Sequence, residues 1–346
     1  MSRTRYAFGA LAGLAAAVFV LEILVRFLVM GPGTLLTADA DIGKVPVKGT
    51  HILRATEGYG HTRYAGDGEI ATPFEGGDVV VVLGDSHTEA FNVDDAAKFV
   101  SVAETDLRRR GRTFDLRNLG FSGGTMADYV RLGPSIIARY HPAILVIQLS
   151  PADFGPETFD PGHVNHFIRA GDGSLRLMHL DAHVGKPSLG ARVKHASALV
   201  TYIQVRYLKI AELTSHKSDA NREGDAAPHE VIPFDTVPAQ LNLLRHAYPG
   251  LPVILLVLPF VPRIESGTIV AADPDYEKLL DIIRTALHDV PEWHVVDPLP
   301  QFRELEQRGK LPRGFVNTRP GSGHLNAAGH RIVGDLLAAA IDKARP

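Results

Sequence analysis

The sequence has no cysteine among its 346 residues, which excludes a disulfide framework and any thiolate metal site. That absence suits either side of a membrane and does not place the protein. Charge of either sign is nearly missing in excess: 36 Lys and Arg against 39 Asp and Glu leave a net charge of −3. A nucleic-acid partner would favour a strongly basic domain, so this class is set aside. Internal repeats are also absent. What remains is globular in composition, with 45% hydrophobic and 22% charged residues, enough to bury the core of one large α/β domain with additions.

The first thirty residues differ from the rest. Arg3 and Arg5 precede an apolar run from about Tyr6 to Met30, and apart from Arg26 no basic residue follows until Lys44. A run of roughly 20 apolar residues is long enough to cross a bilayer as a helix, and the charge asymmetry would keep the amino end in the cytoplasm. The expectation is a cytoplasmic tail and transmembrane anchor over residues 1–31, single-pass in the cell inner membrane, with the main domain extracytoplasmic (periplasmic). Glu22 and Arg26, four apart, would share a helix face and pair. A cleaved signal ending near Ala38–Ala40 is the alternative; the apolar core is long for one.

Residues 32–75 are rich in Gly, Pro, Thr and polar residues with no sustained period, and read as a linker or stalk, or as an extended segment packed on the main domain. From residue 76 the pattern alternates. Strands are expected at Asp78–Gly84, Phe114–Gly120, Pro142–Ser150, Leu251–Phe260 and Glu292–Pro298. Helices are expected at about Lys98–Arg110, Met126–Tyr140, Val237–Ala247, Tyr276–His288 and Leu325–Lys343. Continuous apolar strands separated by helices indicate a parallel sheet of about five strands covered on both faces. Sites in such sheets lie beyond the carboxyl ends of the strands, and Ser86 stands just past the first. An insertion at about 155–235 breaks the rhythm with a hairpin turning at Asp172-Gly173, an amphipathic segment and a polar loop.

Four segments carry chemistry: GDSHT (84–88), NLGFSGGT (118–125), the end of ILVIQLSPAD (144–153) and GHLNAAGH (323–330). A serine hydroxyl is a weak nucleophile until a base takes its proton, and His324 is the candidate base. In order, spacing and strand-end position these segments resemble the SGNH/GDSL hydrolase family over about residues 75–345, and the apolar amino terminus resembles its membrane-anchored bacterial members. The resemblance implies a flavodoxin-like three-layer sandwich over 76–346. It also implies Ser86 as nucleophile, His324 as base, and the N–H groups of Ser86 and Gly123 as oxyanion donors. Asp85 is expected to fix the turn; Ser150 and Asp153 are candidates for support.

Two positions depart from the family pattern. Ala152 stands where an asparagine donor is expected, and Gly321 where an aspartate usually precedes the histidine by three. Such losses cost about 10²–10³ and about 10⁴ in rate in serine hydrolases. The expected function is a membrane-tethered serine esterase or acyltransferase acting on O-acyl, above all O-acetyl, esters of carbohydrate or another small ester, with no metal or organic cofactor. The alternative is a degenerate glycan-binding or scaffold protein of an envelope polysaccharide system. His87 and Glu89 could line a pocket or be solvated, and His330 is read as a helix-packing residue.

Overall fold

The computed structural model describes residues 3–26, 36–54, 57–180, 197–200, 202–203, 232–265, 267–318 and 321–345. In chain order, α1 (Arg3–Leu24) is followed by β1 (Leu36–Asp39), β2 (Gly43–Pro46), β3 (His51–Arg54), β4 (Gly60–Gly66) and β5 (Glu69–Ile70). Next come β6 (Asp78–Leu83), the four-residue α2 (Ser86–Glu89), α3 (Phe99–Arg109), β7 (Phe114–Asn118), α4 (Met126–Tyr140) and β8 (Ile144–Leu149). The hairpin β9 (Asn165–Arg169) and β10 (Leu175–His179) precedes α5 (Val237–Ala247) and β11 (Val253–Val257). The chain ends with the short hairpin β12 (Arg263–Glu265) and β13 (Thr268–Val270), α6 (Pro274–Ala286), β14 (Trp293–Val296), α7 (Leu299–Gln307) and α8 (Ala327–Ala344).

The valines of β6 set the layers. A strand points successive side chains to opposite faces. Val81 and Leu83 therefore pack with α4, α5 and α6, and Val80 and Val82 with α3 and α8. Strands buried on both faces are mostly apolar, which is why β6, β8 and β11 were legible as nearly continuous apolar runs. Their order, β7-β6-β8-β11-β14, is the doubly wound order 2-1-3-4-5. It reverses between β6 and β8, and the crevice for a site opens there.

The sheet is larger than expected and mixed. Three antiparallel strands, β5, β4 and β3, extend it beyond β7 to eight strands. They come from the stretch read as a linker or stalk. They are short and polar, two to seven residues long, so no period of two emerged. Buried polar contacts seat them: Lys98, itself fully buried, donates from Nζ to Thr62 Oγ1 at 2.7 Å and to the Glu89 carbonyl at 2.7 Å. The expected hairpin in the insertion is present as β9 and β10; residues 204–231, including the polar loop, lie outside the described residues.

The amino-terminal apolar run forms α1, which exposes Tyr6, Phe8, Leu11 and Leu14. Among the described residues no helix is long and apolar enough to cross a membrane, so the transmembrane part of the expected architecture has no support from the fold. Arg26 pairs with Glu22 at 2.7 Å. Glu22 also accepts the Ser197 hydroxyl and the Ala198 and Leu199 N–H groups, at 2.8 to 2.9 Å, and so ties α1 to the insertion.

Candidate active site

β6 ends at Leu83, and Asp85 turns the chain into α2. Asp85 caps that helix by accepting the His87 N–H at 2.7 Å, which leaves Ser86 as the first helical residue. First-turn N–H groups have no partner within a helix. Among the described residues neither Ser86 N nor Gly123 N donates to another backbone group. Gly84 is packed so tightly that an added Cβ would lie 2.1 Å from Thr88 Oγ1; a side chain there would displace the turn.

His324 arrives from the loop before α8. Asn326 caps α8 through the Ala328 and Gly329 N–H groups, and its amide donates to the Leu311 and Gly314 carbonyls. This fixes the loop two residues beyond the imidazole. His324 Nε2 lies 2.8 Å from Ser86 Oγ. On its other side the ring meets an acid that the sequence reading missed. Glu57, in the loop between β3 and β4, places Oε2 2.7 Å from His324 Nδ1, while Oε1 accepts the His324 backbone N–H at 2.7 Å. Burial works against the Glu57 charge, but the hydrogen bonds and charge of His324 outweigh it and hold the carboxyl below its ordinary value. An ionised carboxylate only accepts. Nδ1 therefore carries a proton, and in the neutral ring the Nε2 lone pair faces the Ser86 hydroxyl, the tautomer a general base requires.

Glycines make this approach feasible. Gly323 has φ of 76°, and a Cβ there would lie 2.2 Å from Glu57 Oε1. Gly58 exchanges backbone hydrogen bonds with the Asn317 amide at 2.8 and 3.1 Å, and Asn92 donates to the Glu57 carbonyl at 3.0 Å. A carboxylate followed by Gly58 and Gly60 was the sequence signal available.

A buried guanidinium backs the histidine loop. Arg313 Nη1 donates to the Gly323 carbonyl at 2.9 Å and meets His87 Nε2 at 3.2 Å. Arginine only donates, so His87 Nε2 accepts. Burial, then the Arg313 and His324 charges, push His87 well below the usual imidazole range; it is buried rather than solvated. Glu89 is likewise buried. It accepts from Tyr64 Oη at 3.1 Å, from Ser122 N at 3.0 Å and from the Ser122 hydroxyl, joining α2, β4 and the Gly123 loop. Gly123 has φ of 78° with open space where a Cβ would stand.

The remaining candidates lie behind the site. Ser150 and Asp153 form a capping box on the turn after β8: Asp153 Oδ2 takes both Ser150 N, at 2.6 Å, and Ser150 Oγ, at 2.7 Å. Ser150, only 1% exposed, is engaged there, holding the turn after β8. Burial, then the neighbouring Asp85 charge, raise the Asp153 carboxyl well above its ordinary range. His330 stacks on Phe99 with ring centres 5.9 Å apart, in a packing position.

No family model and no curated protein matches this sequence. Solved structures similar to it include a psychrotrophic esterase from Pseudoalteromonas sp., 12% identical, with TM-score 0.42 over 77% of this chain and 98% of that one. A lipase/acylhydrolase from Enterococcus faecalis is 14% identical, with TM-score 0.42 over 77% and 96%. A catalytic mutant of an acetylxylan esterase from Geobacillus stearothermophilus is 14% identical, with TM-score 0.43 over 78% and 95%.

Proposed function

We propose that the protein is a serine ester hydrolase or acyltransferase working through an acyl-enzyme on Ser86. The observation that carries this reading is the continuous chain from Glu57 through His324 to Ser86, with both contacts at 2.7 to 2.8 Å. His324 Nε2 takes the Ser86 proton as Oγ bonds to the ester carbonyl carbon. The carbonyl oxygen becomes an oxyanion facing the Ser86 and Gly123 N–H groups. His324 then passes the proton to the departing alkoxide as the C–O bond breaks. Water, or a sugar hydroxyl, gives a proton to His324 while attacking the acyl-enzyme, and Ser86 leaves with that proton. His324, 30% exposed, leaves room for the substrate.

The missing aspartate was half of the case for a degenerate glycan-binding protein, and Glu57 answers it with a carboxylate from another strand loop. We assign the alcohol side of the ester to carbohydrate, following the sequence resemblance. Tethering by the amino-terminal segment, with the domain outside the inner membrane, belongs to the same proposal and rests on the apolar run and its flanking Arg3 and Arg5.

A fluorophosphonate probe tests the core of this reading. One adduct on Ser86, absent in His324→Ala, together with turnover of an activated acetate ester, is expected. Folded protein that neither labels nor turns over esters would leave the binding role.

A further inference from the structure

Against the Gly123 loop lies a cavity of about 640 Å³, within the roughly 300–1,000 Å³ range of ligand sites. Its lining includes Leu83, just before the Ser86 turn, and Gly123, the proposed oxyanion donor. Away from them it runs between the amino-terminal strands and α4, along Leu36, Val45, Leu53 and Ile136. Of the charged side chains that line it, Lys44, Arg54, Asp67 and Arg139 are exposed and Asp39 is half-buried. Among the described residues three buried acids line it, and each already accepts hydrogen bonds: Glu89 from Tyr64 and Ser122, Asp41 from Ser135 and Arg131, and Asp128 from Thr125 and Asn165, so an apolar guest leaves no new unpaired acceptor there.

An acetyl group, a single methyl beyond its carbonyl, would leave nearly all of this space unused. We infer that the cavity receives the acyl chain of the substrate, and that this acyl group is an unbranched apolar chain of medium length rather than acetyl. The inference rests on Ser86 being the nucleophile. With the carbonyl oxygen at Ser86 N and Gly123 N, the chain leaves the carbonyl carbon past Gly123 and into the cavity. The same strand layer then serves twice: β3 supplies Leu53 to the cavity wall, and the loop that follows it supplies Glu57.

The test is kcat/KM of the full chain, in one detergent below its substrate-aggregating range, for 4-nitrophenyl acetate, butyrate, hexanoate and octanoate. Burial of each methylene is expected to raise kcat/KM about three- to fourfold, up to hexanoate or octanoate. Leu53→Trp should lower the octanoate value at least tenfold more than the acetate value; Ile42→Trp, at another residue lining the cavity, serves if that variant does not fold. A flat series, or one in which acetate is best, overturns the inference while Ser86-dependent acetate turnover keeps the esterase reading. No turnover of any ester and no phosphonate on Ser86 overturns both.

Discussion

At Gly323 a single methyl group is enough to disturb the site. The position has φ of 76°, and its missing Cβ is where Glu57 Oε1 sits, 2.2 Å away. Gly323→Ala is expected to push the carboxylate off the imidazole and to strain the backbone by about 1–3 kcal/mol. Activity should fall by about 10² or more, since small misplacements of catalytic groups have effects of that order. Steady-state kinetics and a thermal melt on the same sample check both effects. Wild-type kcat in a protein of unchanged melting temperature would show that Glu57 tolerates displacement.

Among the elements, the outer strands β3 to β5 do what a stalk could not: they present an acid to a histidine 267 positions later in the chain. Lys98 is the pin that seats them, and burial draws its ammonium down to about 8. Above that value the folded protein releases the Lys98 proton while the unfolded chain, with a pKa near 10.4, still holds it. Stability therefore rises with pH between about 8 and 10.4 through this group, by up to about 3 kcal/mol. Lys98→Met is expected to be less stable at pH 7.5, because Thr62 and the Glu89 carbonyl lose their donor, and to lack this rise. Urea unfolding at pH 7.5 and 10 compares the two; identical pH slopes would refute the assignment. The same elements mark the limit of what could be read beforehand. The central strands β6, β8 and β11 announce themselves because burial on both faces favours continuous apolar runs. The outer strands are short, and their buried positions carry residues such as Gly60, Thr62 and Glu69, so no apolar run marks them. Ser86 and His324 sit in recognisable local sequences. Glu57 has none, because its role is created by a contact rather than by its neighbours, and Arg313 escaped notice for the same reason.

Over the whole molecule, three distant parts of the chain converge on the crevice where the strand order reverses, and the amino-terminal layer closes it from one side. The tether proposed for α1 has its own check: the full-length protein is expected to stay in the membrane pellet through a high-salt wash, and release would remove the tether while leaving the site untouched. The central claim concerns the acid. Glu57→Gln keeps the shape but offers an amide to Nδ1, which no longer demands the proton there. The measurement is kcat/KM for an activated ester whose acyl chain the wild type accepts, on protein shown by its melt to be folded. A fall of about 10³–10⁴ relative to wild type is predicted, the scale seen when a serine protease loses its orienting carboxylate. A rate within a few fold of wild type would contradict the account.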